Sequence, residues 1–336
     1  MKRAATLTVL FSILLAVAAY AEPMAAHGKS KGGPRPRAKV TGFRAQDSAK
    51  GSVLDEKVKA VTPDNVNIAD FFGQTLLMQV CQRGTLAQLK KLLAMQETDV
   101  NAENQKGNTA FLYAAQREDP QFVQAFLRLK KDRFTDESFN HKNQDGETAL
   151  MLATGHKRVF DELLKHHPIE GDINDIKDKN DTTLLIKAAE GGSAEVVRDL
   201  LAKGAKIDAK NKFKVSALRK AIEKNQAEVV DVLVENVHLF ENPEKDFFDA
   251  LSESVWMKDR GGIALKLVDA VHMDLNKKNN GTLVLVEATK RCHVELAMKL
   301  VGQGANPKLE DAWGKTALSL AGGCPGLQEY FLSLDK

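Results

Sequence analysis

From Gly73 onward the chain repeats one arrangement of apolar and polar positions. A Gly-x-Thr or its equivalent opens an apolar run that ends in two small residues. A polar turn follows, then a second stripe such as Val196, Val197, Leu200 and Leu201. Apolar residues three and four apart share one helix face, so each half predicts a short amphipathic helix. One pair of such helices cannot bury its stripe alone. It must pack on the units before and after it.

Seven segments align in this way: "GQTLLMQVCQRG" from Gly73, "GNTAFLYAAQRE" from Gly107, "GETALMLATGHK" from Gly146, "DTTLLIKAAEGG" from Asp181, "KVSALRKAIEKN" from Lys214, "GTLVLVEATKRC" from Gly281 and "GKTALSLAGGCP" from Gly314. Their anchor slots are Thr75, Thr109, Thr148, Thr183, Ser216, Leu283 and Thr316, at intervals of 34, 39, 35, 33, 67 and 33. The interval of 67 holds one degenerate unit, centred near Ala250. The interval of 39 implies about six extra residues and predicts a longer finger after Arg128. Thr or Ser at the slot can cap the helix that follows it. The Gly after the second helix ends it by accepting positive φ, and the Asp/Asn/Gly segments predict hairpin-like fingers.

A period near 33 with Gly-x-Thr-x-Leu-x-x-Ala-Ala resembles the ankyrin repeat. "GAKIDAKN" at Gly204 and "GANPKLED" at Gly304 resemble the family's second half. The Pro that usually follows Thr is absent throughout. The resemblance covers roughly residues 70–330 and implies an all-α ankyrin-repeat solenoid of about eight helix-turn-helix repeats with hairpin-like fingers. Residues 52–69 read as an N-terminal cap, and 70–336 as the array.

The resemblance also implies a binding scaffold without catalysis, with contacts on the fingers and on the concave face of the first helices. Counted from each slot, the exposed finger positions are one, three and four residues before it. The exposed helix positions are seven and eight after it. Aromatic side chains at such positions are Phe71, Phe72, Phe213 and Trp313. Rigidly held aromatics are typical anchors, although Phe71 and Phe72 can instead pack on the N-terminal cap and Trp313 on the C-terminal one. The helix positions offer Arg83, Arg117, Lys290 and Arg291, and Arg83 and Arg117 are expected to be neighbours that suit an acidic surface.

Residues 1–21 carry Lys2 and Arg3, an apolar run from Leu7 to Val17, and Ala19-Tyr20-Ala21. This is the layout of a cleavable export signal, and the run is short for a membrane span of about 20 residues. No later segment is apolar for long enough to span. The chain is therefore expected to be periplasmic or secreted after cleavage near Ala21. Residues 22–51 read as a flexible basic linker, with seven basic and two acidic residues before position 51, a charge of +5. What remains beyond it carries −4, so nucleic acid is a poor partner for the folded part.

Candidate chemistry is sparse. No H-E-x-x-H or C-x-x-C spacing exists, so no metal or other cofactor is expected. His166 and His167 are adjacent and point apart on a helix. Gly28-Lys29-Ser30 lacks the upstream glycine of a phosphate loop. Asp249, Glu253 and Asp259 in the degenerate unit read as surface acids with no nucleophile beside them. Cys81 occupies a small-pair slot and belongs to the core. Cys292 and Cys324 fall at nearly equivalent places in successive repeats. An oxidising compartment permits a disulfide between them, but stacked repeats place equivalent atoms about 8–10 Å apart, beyond the roughly 7 Å that a disulfide spans. Asn180 and Asn280 head glycosylation acceptor triplets, which would matter in a eukaryotic secretory route.

The expected partner is another protein, an envelope enzyme, met as a monomer or in a 1:1 complex. The leading expectation is inhibition of a periplasmic enzyme such as a peptidoglycan hydrolase. The alternatives are a companion of a periplasmic oxidative-stress enzyme and a secreted effector that binds a host protein.

Overall fold

The computed structural model describes residues 53–129, 132–257 and 260–334. The expected export signal and the whole of the basic linker lie outside these residues, as does Asp259. Among the described residues no helix is long and apolar enough to cross a membrane.

Among the described residues eight helix pairs build two layers. The first helices are Leu76–Arg83, Ala110–Ala115, Ala149–Leu152, Leu184–Gly191, Ala217–Lys224, Pro243–Trp256, Val284–Lys290 and Ala317–Leu320. Each packs on its predecessor. The second helices form the other layer, from Leu86–Ala94 through Ala194–Ala202 to Leu327–Ser333.

The slot residues act as the sequence predicts. Thr75, Thr109, Thr148, Thr183, Ser216 and Thr316 each accept a hydrogen bond from the backbone N–H three residues on. The small pairs Ala114–Ala115 and Ala188–Ala189 are fully buried. Their size sets how closely the first layer stacks. At the end of the fourth first helix, a Cβ on Gly191 would lie 2.6 Å from the Gly155 Cα, so that packing requires glycine. In the second layer Val196, Val197 and Leu200 are fully buried between neighbours, each contributing about 1.5–3 kcal/mol.

Three local features depart from the regular repeat. The longer connection after Arg128 is not an extended finger. It winds into an extra turn of helix, Asp136–Phe139, capped by Thr135, because Phe134 and Phe139 have apolar partners to bury against. Their rings pack on Phe111 at 4.7 and 5.6 Å. The sixth repeat has no cap near Ala250. Its first helix starts seven positions earlier, at Pro243, and runs 14 residues; Pro at the first helical position needs no N–H there. At the seventh repeat Leu283 is buried and offers no cap. There Lys278–Asn279 pairs with Thr282–Leu283 as a small hairpin. Its Asn280 and Gly281 both have positive φ, as a tight two-residue turn requires.

Residues 53–59 form a helix, followed by turns, and Leu54, Val58 and Val66 close the first repeat's core. Leu327 and Phe331 do the same at the other end.

Candidate protein-binding surface

The fingers share one construction. Five residues before the slot stands Asp70, Asn104, Asn143, Asp178, Asn211 or Asp311, and its side-chain oxygen accepts two backbone N–H groups of the same turn. An Asx side chain held this way pins the turn. Two residues before the slot the backbone is left-handed, at Gly73, Gly107, Gly146, Asp181, Lys214 and Gly314. At Gly146 glycine is also required by space, since a Cβ would meet Lys179 N at 2.8 Å.

Fingers two to five each bond to the one before. Gln105 N donates to Phe72 O, Gln144 N to Lys106 O, Lys179 N to Asp145 O and Lys212 N to Asn180 O, at 2.9–3.1 Å. The tip side chains Phe71, Phe72, Gln144, Asp145, Phe213 and Trp313 are exposed. The position one before the slot is more covered than expected; Thr182 there is buried.

Phe213 sits at the fifth tip, 67% exposed. Trp313, at the eighth, is 66% exposed although its ring edge would be only 3.2 Å from a Cβ on Gly281. Phe71 and Phe72 are exposed at the first tip and meet edge to face at 5.3 Å. They do not pack on the N-terminal cap.

One of the expected cations does not serve as expected. Arg83 is exposed and unpaired, but Arg117 does not stand beside it as a second free charge. Its guanidinium turns back to the end of the preceding repeat's helix, donating to the carbonyls of Cys81, Gln82 and Gly84 at 3.4, 2.9 and 3.2 Å. It also lies 4.2 Å over the Phe122 ring. Helix ends leave carbonyls without partners, and a guanidinium is the side chain best shaped to collect three of them. Arg260 repeats the device on Ile222 O and Glu223 O.

Lys290 and Arg291 meet a residue that was not expected at the surface's centre. Trp256 ends the long sixth-repeat helix and is 50% exposed. Arg291 lies 5.0 Å and Lys290 5.9 Å from its ring centroid. Arg291 is held from the other side by Glu287, buried beneath it at 2.5 Å. Trp256 and Trp313 line one groove of about 410 Å³, floored by Val286 and Leu320 and rimmed by Lys290 and Lys315. Trp256 also borders a second cleft, of about 510 Å³, between the fifth and seventh fingers. The legible signal was its helix face: Trp256 is seven, four and three residues from Asp249, Ser252 and Glu253. An aromatic ring on the polar face has no core to enter.

Glu253 lines that second cleft. Burial pushes its carboxyl above the usual carboxylate range, against the pull of Arg219, whose guanidinium lies 3.0 Å away. Cys81 is fully buried, and burial pushes its thiol far up. Among the described residues no cluster of His, Cys, Asp or Glu is built to hold a metal ion. His166 pairs with Glu162, while His167 stacks on Phe139 at 3.9 Å.

Cys292 and Cys324 are joined as a disulfide with Cα atoms 5.4 Å apart. This corrects the distance argument from repeat stacking. Repeat stacking sets the separation of helix axes, whereas both cysteines lie in turns. Cys292 takes a left-handed φ between its two helices, and Cys324 follows a single 3-10 turn. The turns lean together where the helices cannot.

The family profile described as ankyrin repeats, in three copies, matches residues 77–175 and 169–245. The matched stretch covers half the chain and ends where the sixth repeat exchanges its finger for helix. With the capped helix pairs and the bonded row of fingers, this match makes the chain a member of the ankyrin-repeat family.

Proposed function

We propose that this chain is an exported, non-catalytic scaffold that binds an enzyme of the cell envelope and blocks it, with a peptidoglycan hydrolase as the first candidate. The family supplies protein-binding arrays. The observation that carries the reading to a surface is the pair Trp256 and Trp313, both exposed, lining one apolar groove under a basic rim. Tryptophans are among the residues that dominate the energetics of protein interfaces, and the exposed Lys290 and Lys315 favour an acidic partner surface. Export is supported by the layout of residues 1–21. The disulfide is a second support, since such bonds persist in oxidising compartments.

The test is capture from a periplasmic extract with the mature chain, alongside a Trp256→Ala/Trp313→Ala variant. The expected result is a cell-wall hydrolase that binds 1:1, loses activity on binding and is not retained by the variant. Recovery of cytosolic host proteins alone would overturn the envelope reading. Capture with no change in enzyme activity would overturn inhibition.

A further inference from the structure

The row of fingers is interrupted once among the described residues. Fingers one to five are bonded in series, with fingers two to five each donating a backbone N–H to the carbonyl at the previous tip. The next donor should come to Phe213 O, and none does. The sixth repeat spends its finger residues on helix: only residues 236–242 join the preceding helix to Pro243. The bonded row resumes where Ala312 N donates to Gly281 O at 2.7 Å.

The missing finger leaves the cleft of about 510 Å³, walled by Lys214 on one side, Asn280 on the other and the long helix below. Its floor holds an unanswered polar group. Ser252 is 7% exposed, and its hydroxyl has no hydrogen-bond partner. A buried hydroxyl without a partner is unfavourable and rare in folded proteins. On the rim, Lys214 and Asp249 make no ion pair, whereas their neighbours Lys210 and Arg219 are matched to Asp246 and Glu253 at 3.0 Å.

We infer that the partner supplies the missing finger: a polar turn headed by Asn or Asp, inserted between the fifth and seventh fingers. The occupant follows from continuity with the array itself. The tips of the first four fingers and of the seventh are each followed by such a turn, whose N–H reaches the preceding carbonyl. An inserted turn would donate to Phe213 O, extending a backbone-bonded row as an added strand extends a sheet. The inference rests on the protein-binding reading above. It deepens it by naming the shape of the loop that an envelope enzyme would offer.

The probe is a cyclised peptide of this chain's own third finger, residues 141–148, "HKNQDGET". It is titrated into the intact protein carrying Trp313→Phe, which leaves Trp256 on the cleft wall as the single tryptophan reporter. The expected result is a saturable change in Trp256 emission, at least about tenfold weaker for the peptide with Asn143→Ala, whose turn has lost its Asx hydrogen bonds. Ser252→Leu, which fills the floor, should abolish it. Because the peptide variant leaves the protein untouched, it decides the matter even if Ser252→Leu fails to fold. No saturable change, or equal binding of the Asn143→Ala peptide, would overturn the inference. So would a concentration-dependent emission change of the protein alone accompanied by dimer in sedimentation, which would assign the cleft to a second copy. Enzyme capture without peptide binding removes this inference and keeps the scaffold reading. Peptide binding without enzyme capture does the reverse.

Discussion

Arg117 Nη1 donates to the carbonyl of Gln82 at 2.9 Å, across the boundary between the first two repeats. The same guanidinium reaches Cys81 O and Gly84 O and covers the Phe122 ring. It therefore joins two repeats by closing a helix end, and it is not a free contact for a partner. Arg117→Ala should cost about 1.5–3 kcal/mol, the range for hydrogen bonds to a charged group. Arg117→Lys should recover only part, because an ammonium cannot present the same fork. The exposed Arg83→Ala should stay within about 0.5 kcal/mol of the parent. Urea unfolding midpoints give all three values.

Binding should divide along the aromatic residues. Trp256 and Trp313 line one groove, so replacing either with Ala should weaken partner binding by about 2 kcal/mol, or roughly 30-fold. Both are half exposed or more, so melting temperature should barely move. Phe213→Ala tests the cleft at the fifth tip in the same way. Phe71→Ala with Phe72→Ala is the contrast, because those rings belong to the first finger. Calorimetric titration of each variant with the captured enzyme checks the division. Equal losses from the first-finger and the tryptophan variants would place the contact elsewhere.

Much of this was legible in the sequence, for reasons that particular residues show. The slot residues Thr75 to Thr316 were readable because capping depends on one side chain and the three residues after it. The small pairs were readable because the close packing of Ala188 and Ala189 tolerates little else. Trp256 and Arg117 were not, because their roles depend on the neighbouring repeat. Sequence spacing puts Arg117 on an exposed face, but only the fold shows that three open carbonyls lie within its reach. The lost sixth finger had a readable mark that spacing alone obscured: where six fingers carry Asp or Asn five residues before the slot, the sixth and seventh have Lys245 and Lys278. The disulfide escaped because repeat periodicity predicts helix separation and is silent on how turns lean.

That disulfide closes the last repeat onto its neighbour across 32 residues of sequence. In the chain-entropy account a loop of this length stabilises by about 3–4 kcal/mol. Repeat arrays open from their ends, so the effect should be local. Reduction, or Cys292→Ser with Cys324→Ser, should speed amide exchange in the helix Leu327–Ser333 while leaving Leu184–Gly191 unchanged. Trp313 stands on the stapled repeat, so partner affinity should fall with it. Uniform loss of protection along the array would show that the staple supports the whole array and not its end.

Phe139 tests whether the extra turn in the third repeat is structural. It is buried against Phe111 and stacked on His167, at 5.6 and 3.9 Å. Truncation to Ala removes a ring that nothing nearby can replace, and should cost about 3–5 kcal/mol. Deleting only the exposed Asp136 side chain should matter far less. Chemical denaturation of the two variants separates them. A small effect of Phe139→Ala would mean that the turn is a dispensable insertion.

Glu253 should give the stability of the sixth repeat a distinctive pH dependence. Burial raises its folded-state carboxyl above the ordinary value of 4.5, and the Arg219 charge only partly offsets that. The folded state therefore holds the proton more tightly than the unfolded chain does. The resulting stabilisation is full below the unfolded value and is lost as pH rises through the folded one. Glu223, on the neighbouring helix, goes the other way: the hydrogen bond from Lys220 lowers it, so its contribution is lost on acidification. Glu253→Gln removes the raised group while keeping an acceptor for Arg219. The variant should be more stable than the parent at neutral pH, with the advantage shrinking as pH falls towards 4.5. Urea midpoints of parent and variant across that range measure the difference directly. An advantage that grows on acidification would show that the Arg219 pairing, and not burial, governs this carboxylate.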